Sequence, residues 1–554
     1  MDFERTTATT ASLPETLHQP SAASQAPIIV GIPTEELEIE EPGVPEDNNI
    51  SYPTGTKLWL AILSLAVTSF VSSADVTVIA IAVPSLTNEF HTINDIGWYS
   101  ASYMMVIGAT GFFFGKAYTL FNTKRIYLLS LVIFWIGSII CTFATSSAMF
   151  VAGRAILGLG CSCESAGFVT LVSTLFPKHK RPRWIGNIYF VGSAGLVSGP
   201  LIGGLLIQRF GWRACFGINI CLYGFCTALA VYGIPSGDKL SKEGLPLKQK
   251  LKELDLAGGL IFAPALTSLL LALAWGGTTY GWNDPRMITL FVLTAALFVI
   301  FAGLQWYLGE QASIPPRILK QRSILAGTFF SACCNGALNV TENYIAIYFQ
   351  SVRGLTPTQS ALLGIPMIVG LMAASIIAGW GSTLIGYYNP FLIITSVVAP
   401  IASGILTTIS LDSQIALASG LLGLLGFAIG IGLNIPVMAV SSILEPEEVS
   451  IGAAIVLFGG SMGSATFSAV AATLFQDRLN KDVNQYAPGT NVTSLAHTGL
   501  SDIRKVIGED KLKSILMGYD EAVMQTLYIP VALTALTIVG SLLTEWHSIK
   551  KKRE

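Results

Sequence analysis

Polar and apolar positions along this chain fall in long blocks. Residues 1 to about 56 are polar, acidic and rich in Ser, Thr, Pro and Glu; they lack apolar periodicity and are expected to be disordered. Apolar runs long enough to cross a bilayer then follow one another. They lie near 58–86, 98–120, 125–146, 148–176, 184–207, 211–234, 254–275, 287–308, 323–350, 358–383, 391–411, 413–444, 450–476 and 525–546, fourteen in all. The pattern predicts an all-α integral membrane protein of fourteen transmembrane helices.

The connecting segments set an orientation. With the N-terminus inside, the inner loops hold Lys124 and Arg125, then Lys178, Lys180, Arg181 and Arg183, then Lys239, Lys242, Lys248, Lys250 and Lys252, then Arg317, Lys320 and Arg322; the tail ends with Lys550, Lys551, Lys552 and Arg553. Arg209, Arg213, Arg286 and Arg353 fall on the other side. Basic loops stay cytoplasmic, so both termini are expected there. The inner loops after spans 10 and 12 carry no Lys or Arg and leave the rule silent there. The one long outer loop, about 477–524, ends in an amphipathic stretch expected to lie on the outer surface. It carries the sequon at Asn491, a candidate glycosylation site. The similar sequons at Asn339, within a span, and Asn49, in the inner tail, are discounted.

Composition sharpens this reading. Of 554 residues, 52% are hydrophobic and 12% charged, against about 25% charged in soluble domains. The net charge of −2 gives no general basic field for nucleic acid. The N-terminus lacks the basic and apolar regions of a cleavable signal. The eight cysteines fall in apolar stretches without zinc-type spacing, so neither a disulfide framework nor a metal site is expected.

Within the fifth span, GSAGLVSGPLIGG places Gly195, Gly199 and Gly203 on one helical face, followed by Gly204. A face without side chains lets another helix approach closely in lipid. Pro200 removes a backbone donor and is expected to bend or loosen the helix. Plain packing and a moving contact both fit.

Charges inside spans cost about 2.5–3.5 kcal/mol each at a helix centre, so four stand out. Asp75 lies near the middle of the first span and needs a polar cavity or a cation; it is read as a protonatable or substrate-facing group, or as a fixed interhelical contact. Arg154, two turns into span 4, either snorkels or is buried beside a carboxylate. Glu164 follows ten residues later, about 280° around the helix, and is a candidate proton carrier because burial penalises its charged form. Glu342 lies in the outer half of span 9 with Asn339 and Asn343 within about one turn, as a cavity-lining patch would. Asn434, beside Pro436, is read as a cavity donor or a packing amide.

Several of these segments, in order, resemble the major facilitator superfamily, specifically its fourteen-span drug:proton antiporters of fungi. The resemblance covers about 57–546. ADVTVIAIAVPSL looks like the first-helix motif and places Asp75. GRAILGLG matches the motif whose arginine, here Arg154, is associated with proton transfer. GSAGLVSGPLIGG matches the antiporter motif, and GWRACFGINI follows it. AWGGTTYGWND and IYFQSVRG are also typical. In the loop GKAYTLFNTKRIYLL, Gly115, Lys124 and Arg125 fit the inter-helix latch motif, but Thr119 replaces its aspartate and Asn122 lies near its missing second glycine. The matching loop of the second half, STLIGYYNP, has no basic residue.

The resemblance implies two six-helix bundles, 57–234 and 311–546, separated at 235–310 by a cytoplasmic linker and two inserted helices, with a basic tail at 547–554. It implies alternating access about a midplane site, with the span-5 glycines between the halves as a hinge. The implied function is proton-coupled export of a hydrophobic or amphipathic small molecule, such as a drug, toxin or fungal secondary metabolite. Asp75 and Glu164 would be the coupling carboxylates, Arg154 would tune one of them, and Glu342 would contact substrate. A proton gradient and no cofactor is expected, with protons, substrate and lipid as partners, and a monomer. The plasma membrane is favoured, with the vacuolar membrane as the other location. The alternatives kept open are a vacuolar basic amino acid or siderophore carrier and a non-transporting sensor. The sequence offers no nucleophile–base pair or metal-ligand cluster for an enzyme.

Overall fold

The computed structural model describes residues 52–90, 96–235, 253–276, 280–309, 312–410, 413–445, 448–486 and 509–548, with Pro246 and Lys250. The N-terminal half consists of α1 (Thr56–Phe90), α2 (Ile96–Leu120), α3 (Thr123–Thr142), α4 (Ser147–Leu175), α5 (Arg181–Phe210) and α6 (Arg213–Gly233). An inserted hairpin follows, α7 (Leu256–Trp275) and α8 (Pro285–Leu308). The C-terminal half holds α9 (Arg322–Ile347), α10 (Pro357–Ile385), α11 (Asn389–Leu406), α12 (Ile415–Leu433), α13 (Ile435–Ile443), α14 (Val449–Tyr486), α15 (Glu509–Thr526) and α16 (Tyr528–Leu543).

Local chemistry sets the helix ends. Asn122 caps α3, Ser146 caps α4 and Asp284 caps α8, each side chain accepting a backbone N–H of the first turn. Thr356 and Gln359 form a reciprocal capping box on α10. Proline opens α5, α8, α10 and α11, where its missing N–H costs nothing. Gly386, at a φ of 85°, ends α10 in the left-handed region that a side chain would resist.

Thirteen segments among the described residues are long and apolar enough to span a membrane. Two of these each join two α-helices, α12 with α13 and α15 with α16. The fourteenth expected span, α2, is 25 residues long but falls below the hydropathy of those thirteen segments. It buries Tyr99, Ser102, Tyr103 and Lys116 inside the bundle.

The segment expected as a loop at 477–524 is helical at both ends. α14 runs on to Tyr486, and α15 packs along it with Ile515, Tyr519, Ala522 and Val523 buried. Its apolar face packs on α14, and the stretch leads directly into α16. Asn491 lies outside the described residues.

In the N-terminal half α1 packs on α5 and α6, and α4 on α2 and α3; in the C-terminal half α9 packs on α14 and α16, and α10 on α12. The halves meet through α5 on α10 and α2 on α14. α7 lies against both α2 and α14, so the insertion covers this seam. There Phe112, Phe262 and Phe458 form one cluster, with ring centroids 5.0–5.5 Å apart. The end of the bundle that holds the loops at 121–122, 176–180 and 312–321 is termed the basic end below.

Candidate transport site and gate

Arg154 does not snorkel. Its guanidinium is ion-paired with Asp75, and both side chains are 1% exposed. Arg154 Nε donates to the Tyr99 carbonyl at 2.9 Å, and the guanidinium lies 4.4 Å from the centre of the Tyr103 ring. Asn219 Nδ2 donates to the other Asp75 oxygen at 3.2 Å. Helices α1, α2, α4 and α6 thus converge on one charge pair. Burying two ions is costly, and full hydrogen bonding of both partners is the arrangement that offsets it. Asn219, in the GWRACFGINI segment, was missed by sequence reasoning. A polar residue inside an apolar span was its available signal.

Glu164 is also buried but separate, about 15 Å further along α4. It accepts from the Tyr223 hydroxyl at 3.0 Å, and the Tyr223 ring stacks on Phe134 with centroids 4.0 Å apart. The N-terminal half therefore holds two buried carboxylates in different settings, one ion-paired and one bonded to a neutral donor.

Glu342 is exposed, as is Asn343, on α9. Asn343 Nδ2 donates to the Asn339 side-chain oxygen at 3.0 Å, and Ser468 Oγ on α14 donates to the same oxygen at 2.5 Å. The expected polar patch is thus brought together across α9 and α14. Asn434, half-buried, sits at the break between α12 and α13 and donates to Ser375 Oγ on α10 at 3.3 Å. A small cavity of about 50 Å³ lies between the halves, lined in part by Ile107, Gly108, Ser162, Ser165, Phe458 and Ser461.

The glycine face of α5 requires a correction. Side chains at Gly195 and Gly199 would run into the Phe70 carbonyl and into Thr77, and one at Gly203 would touch Val78 at 3.3 Å. All three partners belong to α1, so this face is buried within the N-terminal half instead of between the halves. Gly204 has no atom within contact of such a side chain. Pro200 cannot donate to the carbonyl of Leu196 four residues back, and the Thr77 hydroxyl donates to that carbonyl at 3.2 Å. That hydroxyl is shared with the Ala74 carbonyl of its own helix at 3.1 Å, so the proline's lost bond is replaced in part by an interhelical one.

The glycine contact between the halves lies on the other side of α5. Gly186 faces Gly379 of α10; a side chain at Gly186 would meet the Ser375 carbonyl at 2.6 Å, and one at Gly379 the Pro182 carbonyl at 2.8 Å. Beside them Trp380 Nε1 donates to Asn187 at 2.9 Å, and the Arg183 guanidinium lies 3.4 Å from the Trp380 ring centre. Arg181 donates to the Ser441 carbonyl at 2.9 Å, and Ser450 to the Gly115 carbonyl at 2.8 Å. These bonds join the halves at the basic end. Of the expected latch, Gly115 faces Ser450 across the seam. Lys124 instead donates to the carbonyls of Val231 and Ile234 at the end of α6, within its own half. Arg125 is exposed.

The family model described as the Major Facilitator Superfamily matches residues 65–468. The chain belongs to that superfamily. It is 35% identical over 508 residues to the MFS-type transporter astH of Aspergillus oryzae, covering 92% of this chain and 90% of that one. It is likewise 35% identical over 521 residues to the efflux pump roqT of Penicillium rubens, covering 93% and 96%. The solved proton:xylose symporter XylE shares the fold, with a TM-score of 0.55 at 16% identity, over 89% of this chain and 97% of that one. The chain is thus a multi-pass membrane protein of the major facilitator fold, and its relatives are fungal transporters and efflux pumps. In this superfamily member the Asp75–Arg154 pair and the α5–α10 contact occupy different places, one deep in a half and the other between the halves.

Proposed function

We propose that the protein is an efflux transporter that exchanges protons for a hydrophobic or amphipathic small molecule by alternating access. The observation that carries the coupling part is the buried Asp75–Arg154 pair, closed in by Asn219 and Tyr99. Protonation of Asp75 would cancel its charge and leave Arg154 uncompensated, a change that a fully buried site transmits to the four helices around it. Glu164 is the second coupling candidate. Its neutral tyrosine partner lets it change charge without breaking an ion pair.

The contacts at the basic end correspond to a conformation closed there. The exposed Glu342 and Asn343 would then line the space reached from the other side, and their acid and amides would bind a substrate carrying a cationic or hydrogen-bonding group. With the basic loops cytoplasmic, this is the releasing conformation of an exporter, and the plasma membrane is its natural location. The chemistry assigned is transport; no covalent step is assigned to any residue.

The test is accumulation of the lipophilic dye rhodamine 6G in yeast cells lacking their own pumps. Expression of the protein should lower accumulation, and Asp75→Asn should restore it at equal surface expression. Equal accumulation with and without the wild-type protein, across a panel of dyes and fungal metabolites, would contradict export.

A further inference from the structure

The inserted hairpin carries a buried carboxylate that the transport site does not use. Asp255 caps α7 from the left-handed region, at a φ of 50°, and is 5% exposed. Its carboxylate gathers donors from three segments. Oδ1 accepts from the Gly258 N–H at 2.8 Å. Oδ2 accepts from Gln305 Nε2 on α8 at 2.7 Å, and from the Ser313 N–H and hydroxyl at 3.1 and 2.8 Å. Gln305 in turn accepts from the Ile314 N–H at 3.1 Å. The peptide 312–314 is therefore fixed against the hairpin by its own backbone donors.

The carbonyl at the start of that peptide faces the opposite way. Ala312 O accepts from Lys116 Nζ of α2 at 3.0 Å, and Lys116 is 6% exposed. Lys116 follows Gly115, whose own carbonyl accepts from Ser450 of α14. On the far side of the peptide, Arg317 pairs with Glu448, just ahead of α14. The connector between hairpin and C-terminal half is thus held to α2 beside the seam that must part if the basic end opens. A hydrogen bond from a charged donor is among the stronger single contacts, so this carbonyl is a holding point between the connector and α2.

We propose that Asp255 is a positioning residue for the gate. It fixes the 312–314 peptide so that the Ala312 carbonyl receives Lys116, and through that bond it holds the basic end closed. The inserted hairpin then works as part of the gate. This role rests on the alternating-access reading above. It also supplies a tie across the seam in a chain whose latch loop has threonine at position 119 where the superfamily motif carries aspartate.

The experiment uses the full-length protein in lipid nanodiscs, with Cys221→Ser to remove the exposed native thiol. Spin labels placed through Lys180→Cys and Ile385→Cys, on the two halves at the basic end, report the distance by pulsed electron resonance. Wild type should show closed and open populations. Lys116→Met should lower the closed-to-open ratio about tenfold, as expected for losing a hydrogen bond from a charged donor. Asp255→Ala should shift it the same way, and the double variant should lie no lower than Lys116→Met alone. Gln305→Met, which removes one donor and leaves the cap, should give a smaller shift in the same direction and serves if Asp255→Ala does not fold. Multiplying effects in the double variant, or folded Asp255→Ala and Gln305→Met proteins with the wild-type ratio, would overturn the positioning role while alternating access stands. A single distance in wild type, unmoved by Lys116→Met and by pH, would overturn alternating access and the proposal with it.

Discussion

The two halves hold their acidic residues in opposite ways. In the N-terminal half Asp75 is sealed in, matched by Arg154 and Asn219 and closed off by Tyr99 and Tyr103. In the C-terminal half Glu342 stands exposed among amides and a serine hydroxyl, with no ion pair among the described residues. A sealed pair ties structure to charge, so altering it should disturb folding and coupling together. An exposed acid touches little, so altering it should change recognition and leave the fold alone. In the cycle proposed above, coupling belongs to the sealed pair and substrate contact to the exposed acid.

The largest expected effect is that of Arg154→Ala. It leaves a buried carboxylate without its cation and should destabilise the protein by about 3–5 kcal/mol, read as thermal unfolding in detergent. Glu342→Ala should stay within about 0.5 kcal/mol of wild type. Equal losses from the two would erase the contrast between the halves.

The glycines of α5 offer a second way to test it, because one helix serves both a fixed and a separable contact. Gly199→Leu should cost roughly 1–3 kcal/mol by overpacking α1 against α5, seen as a lower unfolding temperature. Gly186→Leu should leave the N-terminal half folded and instead favour conformations open at the basic end, seen as a longer distance between spin labels at Lys180→Cys and Ile385→Cys. A smaller effect, about 0.5–1.5 kcal/mol, is expected from Thr77→Val, which removes the hydroxyl that lies between the Leu196 and Ala74 carbonyls. A neutral result would mean that the carbonyl finds another partner.

Glu342→Gln sharpens the comparison from the recognition side. It should raise the KM for rhodamine 6G, a cation, several-fold, and leave that of a neutral dye unchanged. The smallest effect is expected at the opposite end from the gate, where Glu89 accepts from Arg213 at 2.7 and 2.9 Å and from Trp212 at 2.6 Å. These donors hold its carboxyl below the usual carboxylate range of about 4.5. Its stabilising contribution is therefore complete above that value and is lost as pH falls through the depressed one. Unfolding temperatures on acidification below pH 4.5 should fall slightly more in wild type than in Glu89→Gln.

Much of the fold was legible because bilayer spans are long and apolar, a signal that depends on composition and not on partners. The exception, α2, shows the limit of that signal: a helix that buries polar groups against protein has less need to be apolar. Asp75, Arg154 and Glu164 were legible for a related reason, since a charge within an apolar run is conspicuous. The pairing of Asp75 with Arg154 was not, because it depends on how α1 and α4 are brought side by side. The glycine face was read correctly as a close-packing surface and placed against the wrong neighbour. Spacing identifies a face, but only the packed fold says which helix meets it, and Gly186 lay outside the repeating motif. Asp255 and Lys116 gave no sign either. Both sit at span ends, where charged residues are ordinary, and their meaning comes from the carbonyl between them.

The central claim is that proton movement through the Asp75–Arg154 site drives export. Its most direct measurement is rhodamine 6G uptake into inside-out vesicles, with an imposed proton gradient, an uncoupler and the Asp75→Asn variant compared at equal protein content. The account predicts gradient-driven uptake that collapses with the uncoupler, and in Asp75→Asn no uphill uptake but continued dye exchange. Uphill uptake that survives the uncoupler, or that persists in Asp75→Asn, would contradict it.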